Sequence, residues 1–140
     1  MNGRRADVPH ATPLVDVRLS VDRDIPTQAR RAADAVLGDI EPNTRYNFLL
    51  IVSELVANAV LHSRSPKWLR VLRRGSVLRA EVHDGSREPP LVLAPSPYRA
   101  HGRGMFLVDS FADDWGVETT PAGKIVWAEV NAPLRGDREG

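Results

Sequence analysis

The chain has 140 residues, 42% apolar and 26% charged, with a formal net charge of +1, which suits one globular domain with its own core. A near-neutral balance gives no electrostatic case for nucleic acid as partner. The absence of cysteine removes disulfide frameworks and thiolate metal sites, and the longest apolar runs are too short to span a bilayer.

Arginine supplies the basic side chains except at Lys67 and Lys124, a bias that fits a GC-rich genome better than chemistry. The opening MNGRRADVPHATP lacks the apolar stretch of a signal peptide, so the expected location is the cytoplasm. Residues 1–12 read as a flexible tail, 13–131 as the domain and 132–140 as a second tail.

Leu14 to Val21 alternates apolar and polar residues, the pattern of a half-buried strand. Pro26 suits the first turn of a helix, which is expected to run to about Asp39 on an apolar face of Ala29, Ala32, Ala33, Val36 and Leu37. Glu41-Pro42-Asn43 interrupts the chain. A second helix is expected from Thr44 to about His62. Trp68 to Arg73 and Val77 to His83 read as strands joined by a turn at Arg74-Gly75-Ser76. Residues 85 to 101, rich in Pro and Gly, have the character of a lid or binding loop. A third helix is expected from Gly102 or Arg103 through MFLVDSFAD, and a closing hairpin pairs Trp115–Thr119 with Lys124–Val130. These elements predict an α/β (α+β) two-layer sandwich: a mostly antiparallel mixed sheet of about five strands, with three helices on one face.

The second helix carries ELVANAVLHS at residues 54–63. Glu54, Asn58 and His62 recur at i, i+4 spacing and so share one face, with Asn47 on the same stripe. The rest of that helix is apolar almost all round, as in a buried helix. Polar groups there need partners, because an unpaired neutral group in low dielectric costs roughly 2–7 kcal/mol. The stripe either faces a cleft, ion or ligand, or lies at the core edge and points at water.

Asp84-Gly85-Ser86 follows a strand directly. It reads as a polar anchor beside a backbone a ligand can approach, or as an ordinary Asp-Gly turn. Gly102-Arg103-Gly104 opens a helix, where exposed amides and the dipole favour phosphate; a plain loop-to-helix junction is the alternative.

In their order and spacing these three features resemble the motifs of the Bergerat-fold (GHKL) ATP-binding superfamily of histidine kinases, gyrases and chaperones. ELVANAVLH, DGSREPP and GRGMFLVDSFADDWGV look most like those of the anti-sigma-factor serine/threonine-protein kinases. The resemblance covers residues 14 to about 131. It implies ATP and Mg²⁺ as ligands, with Asn58 on the metal and Glu54 as general base. It implies that Asp84, beside Gly85, accepts the adenine amino group, and that Gly102, Arg103 and Gly104 hold the phosphates. His62 is left a supporting role.

The implied partners are a sigma factor, an anti-sigma-factor antagonist with one target serine, or both. A homodimer is implied too, and Arg23, Arg30 and Arg31 on the first helix offer a partner surface, or simply a solvated face. Ser86 and His101 stand where relatives place glycine. Ile125 is expected where many relatives carry a threonine that supports the adenine-binding Asp, a loss of about 0.5–1.5 kcal/mol that predicts weaker nucleotide binding. Three functions stay open: a kinase, a binding module that uses nucleotide as a structural ligand, and a domain that has lost nucleotide binding.

Overall fold

The computed structural model describes residues 11–20, 24–62, 64–85 and 104–136. In chain order these form β1 (Thr12–Leu19), α1 (Ile25–Asp34), α2 (Pro42–His62), β2 (Lys67–Arg74), β3 (Val77–Asp84), α3 (Gly104–Phe111), β4 (Asp114–Thr120) and β5 (Gly123–Asn131). The strands make one sheet in the order β1-β2-β3-β5-β4. Every pairing is antiparallel, so the expected mixed sheet has no parallel pair among the described strands. Two tight hairpins, β2–β3 and β4–β5, account for this. The helical hairpin α1–α2 returns the chain so that β2 runs against β1.

The core lies between the helices and one face of the sheet. Phe48, Ile51, Val52, Leu55 and Val56 of α2 are at most 1% exposed and meet Leu69, Val71, Leu78, Ala80 and Val82 of the sheet. Alternation along the strands puts Leu78, Ala80, Val82 and Asp84 on the helix side of β3 and Arg79, Glu81 and His83 on the other. The same alternation puts Lys124, Val126, Ala128 and Val130 of β5 toward the helices, with Ile125 and Trp127 away from them.

Helix boundaries follow local chemistry. Asp24 caps α1 by accepting from the Thr27 amide at 3.2 Å, as its short carboxylate favours at a helix start. α1 ends at Asp34 rather than near Asp39, and the chain turns through Gly38 at φ 73°, a left-handed conformation that glycine adopts without steric cost. Leu37 remains buried beyond the helix, which is why its apolar spacing extended the expected helix. α2 begins at Pro42, two residues before the expected Thr44, because Glu41 Oε1 accepts from both the amide (2.8 Å) and the hydroxyl (3.0 Å) of Thr44. Those bonds hold the Glu41 carboxyl below its usual range.

Strand β1 starts two residues earlier than its alternation suggests, with a register shift between Pro13 and Val15. Residues 132–136, expected to begin a tail, are docked: Ala132 is buried, its amide bonds to the Ser76 carbonyl, and Arg135 pairs with Asp39 at 2.7 Å.

Candidate functional site

α2 carries the polar stripe along the edge of the core. Asn47 and Glu54 are half-buried, whereas Asn58 is 7% exposed. Ala57 and Leu61 on the same side are also partly accessible. The stripe therefore borders an accessible side of the helix while Asn58 sits deeper.

Asp84 ends β3 on the helix side of the sheet, and its side chain is fully buried. Three backbone features hold it. The Gly85 amide donates to Ser65 Oγ at 2.8 Å. A Cβ on Gly85 would lie 2.9 Å from the Ser65 Cβ. A Cβ on Gly123 would lie 2.0 Å from the Asp84 carbonyl oxygen and 2.6 Å from the Gly85 Cα, so only glycine lets the β4–β5 turn cross the Asp84-Gly85 backbone. A cavity of about 620 Å³ lies at this end of the sheet, mostly on its helix-free face, lined there by Trp68, Arg70, His83 and Ile125 and at the strand ends by Asp84 and Lys124.

Two lysines flank the carboxylate in register. Lys67 on β2 is the cross-strand partner of Asp84, and Lys124 on β5 is its partner on the other side. Both are 3% exposed. Lys124 Nζ lies 3.2 Å and 3.3 Å from the two Asp84 carboxylate oxygens. Lys67 Nζ donates to the Ser65 carbonyl at 2.5 Å. Burial pulls the Lys67 ammonium below its usual pKa, against the pull of Asp84 and with the repulsion of Lys124.

This register corrects one expectation. The side chain beside Asp84 is Lys124, not Ile125, which pairs with His83 and lies outside the core cluster. The error was one residue, and in a strand one residue changes the face. The hydroxyl expected in support of Asp84 is thus replaced by an ammonium.

Sequence reading missed four contributors: Ser65, Lys67, Gly123 and Lys124. The signal for two of them was present in the composition, since the chain's only lysines are these two.

Of the expected phosphate residues, Gly104 is the first residue of α3, whereas Gly102 and Arg103 lie outside the described residues. So do Ser86, His101 and the side chain of His62. Among the described residues no group of three or more His, Asp and Glu side chains could hold a metal. None of the described helices is long and apolar enough to cross a membrane.

The helix-free face of the sheet holds a second charged group. Glu81 is fully buried and accepts from Arg79 Nε at 2.8 Å, with His83 Nε2 at 2.9 Å and Arg70 Nη1 at 3.5 Å. Burial opposes its ionisation, but the bonds from His83 and Arg79 prevail and hold its carboxyl below the usual range. Arg79 also bonds Glu129 at 2.9 Å and stacks 4.3 Å over the Trp127 ring.

A two-layer sandwich with an amide-bearing helix edge and a buried carboxylate at a strand end defines the class: an ATP-binding domain of the histidine-kinase type. The profile of the histidine kinase-like ATPase domain matches residues 20–130, and the chain belongs to that family. Membership implies ATP binding and supports a regulatory role. No curated protein matches the chain.

Proposed function

We propose that this chain is a regulatory protein serine/threonine kinase of the anti-sigma-factor type, acting in the cytoplasm. Its substrate would be a serine on an anti-sigma-factor antagonist, and it would also hold a sigma factor inactive, as a homodimer. The observation that carries the reading is the pairing of a half-exposed Glu54 with a buried Asn58 one turn on, in a chain that also keeps a buried Asp84 at its strand end.

The donor chemistry fits Mg²⁺. A hard cation takes oxygen ligands and often uses one or two protein groups, completing its shell with phosphates and water. Asn58 would supply the amide oxygen, and the absence of a carboxylate cluster among the described residues is compatible with so sparse a protein contribution. Bound there, Mg²⁺ would neutralise charge on the phosphates. Glu54 would accept the proton of the attacking serine hydroxyl, for which its partial exposure gives a protein substrate access. Asp84 would accept a hydrogen bond from the exocyclic amine of adenine. The residues 102–104 would place backbone amides against the phosphates at the start of α3.

The second reading is a binding module that uses nucleotide only as a structural ligand. Glu54→Ala separates the two. A kinase keeps ATP affinity within a few fold and loses phosphoryl transfer by roughly 10²–10⁴-fold, the usual contribution of a general base. Calorimetry with Mg²⁺-ATP and a phosphotransfer assay on the partner measure both quantities. Unchanged partner control by Glu54→Ala would establish the binding module. Failure of ATP to bind the folded wild type would remove both readings.

A further inference from the structure

The described helices pack on one face of the sheet, and an antiparallel sheet can leave its other face to solvent. The side chains of that other face fall in cross-strand rows. One row reads Arg18, Trp68, His83, Ile125 and Glu118 from β1 to β4. The next reads Asp16, Arg70, Glu81, Trp127 and Gly116. Two of the chain's three tryptophans stand here, and Trp68 is 40% exposed. Tryptophan is over-represented among the anchors of protein interfaces. The cavity of about 620 Å³ borders the first row at Trp68, His83 and Ile125, so an anchor and a place to seat one lie side by side.

Charge selects the occupant. The first row carries a cation at one edge strand, an anion at the other, apolar groups inside them and His83 on the central strand. Turned by 180° about the direction of β3, that row meets itself. Arg18 comes opposite Glu118, Trp68 opposite Ile125, and His83 opposite its own copy. In the second row the same rotation sets Asp16 opposite Gly116 and Arg70 opposite Trp127. Glu81 and Arg79, on the central strand, meet their copies as a pair already bonded at 2.8 Å. The other in-plane axis, across the strands, lays β4 on β4. Both charges that β4 carries on this face, Asp114 and Glu118, are acidic, and like charges set together are costly. An axis along the strands also keeps two packed sheets aligned, as stacked sheets prefer.

We propose that two copies of this chain pair through their helix-free sheet faces, with the two-fold axis along β3 and Trp68 of each copy seated in the other's cavity over Ile125. The proposal rests on the homodimer put forward above and names its surface. Five strands about 4.8 Å apart, of about eight residues rising about 3.3 Å each, give a face of roughly 24 Å by 26 Å. Two such faces bury on the order of 1,200 Å², the lower limit of a standard interface, so the pairing is expected to be reversible. Within one chain Arg18 and Glu118 stand on opposite edge strands, four strand spacings or roughly 19 Å apart. Only a second copy brings them together.

The test is sedimentation equilibrium of the full chain as wild type, Trp68→Ala, Arg18→Glu, Glu118→Arg and the Arg18→Glu/Glu118→Arg double variant. The wild type is expected to dimerise reversibly. Trp68→Ala should weaken association by about 30-fold or more, as the loss of an anchor does. Each single charge reversal should weaken it by about tenfold or more, because it sets like charges together at two symmetric contacts. The double variant restores opposite charges at both contacts and should return within a few fold of wild type. A wild-type dimer that all three single variants leave unchanged overturns the proposal and places the homodimer on another surface. A double variant no tighter than the single reversals overturns it too, since the two side chains then do not meet. A wild type that stays monomeric at the highest soluble concentration removes the proposal and the homodimer together; Mg²⁺-ATP binding by that monomer would leave the kinase reading standing. Should Trp68→Ala fail to fold, the charge series at the sheet edges decides alone.

Discussion

Two charged rows cross the same sheet on opposite faces, and they are built differently. On the helix-free face, Glu81 is gripped by Arg79 and His83 at 2.8 Å and 2.9 Å, and Arg79 reaches on to Glu129 and stacks on Trp127. On the helix side, Asp84 sits between two lysines, with Lys124 at 3.2–3.3 Å. The arginine row is tightly bonded along the middle of the strands. The lysine row is looser and lies at the strand ends, where Asp84 and Lys124 border a cavity that Arg70 and His83 of the other row also line. Planar forks with short bonds suit a structural brace, whereas a point charge holds its partner with less geometric constraint. The difference is one of bonding geometry, a forked brace in mid-strand against a point-charge pair at the strand ends.

Breaking the lysine row has the largest expected effect. Asp84→Ala leaves two buried ammonium groups without their carboxylate, and removing one partner of a buried pair costs about 3–5 kcal/mol. Denaturant unfolding of wild type and variant reads that loss directly. Asp84→Asn keeps the volume and part of the hydrogen bonding, so it is expected to lose less stability while losing the base contact. An Asp84→Ala protein as stable as wild type would show that the row is not a coupled unit.

The arginine row should respond to pH in a defined direction. The folded pKa of Glu81 is depressed by its bonds from His83 and Arg79. Its contribution is present above the unfolded carboxylate range and is lost as pH falls through the lower folded value. Glu81→Gln is expected to cost about 1.5–3 kcal/mol at neutral pH, the range for hydrogen bonds to a charged group. The gap between variant and wild type should close in acid. A gap constant from neutral pH down past the carboxylate range would contradict the charge-based account and leave only shape.

Much of this contrast was legible in the sequence, and the failures have a physical pattern. The strand alternation in Val77 to His83 and the apolar run of α2 specified the layers, because burial imposes those periods. Glu54, Asn58 and Asp84 could be named because their neighbours fix which face they share. The partner of Asp84 could not. It depends on the β3–β5 register, set by a turn at Gly123 whose close approach to Asp84 and Gly85 is a tertiary fact. A shift of one residue put Ile125 where Lys124 belongs. Nor could the brace around Glu81 be seen, since Arg79, Glu81 and His83 read simply as the polar half of an alternating strand until Trp127 covers Arg79. The α1 end was misplaced because Leu37 is buried from a turn as well as it would be from a helix.

The smallest expected effect concerns Lys67. Burial lowers its folded pKa below the unfolded value, with Asp84 opposing and Lys124 adding to the shift. Between the folded and unfolded values the unfolded chain binds more protons, so this group makes stability rise with pH in the alkaline range. Lys67→Met removes the titration and should flatten that rise. The substitution also removes one of two cations from Asp84, so at neutral pH its net effect is expected to be small, about 1 kcal/mol or less, because an ion pair and an apolar isostere of similar volume are often close in stability. Denaturant midpoints from neutral to alkaline pH, compared for wild type and Lys67→Met, measure the slope. An unchanged slope would show that Lys67 is not the group that sets it.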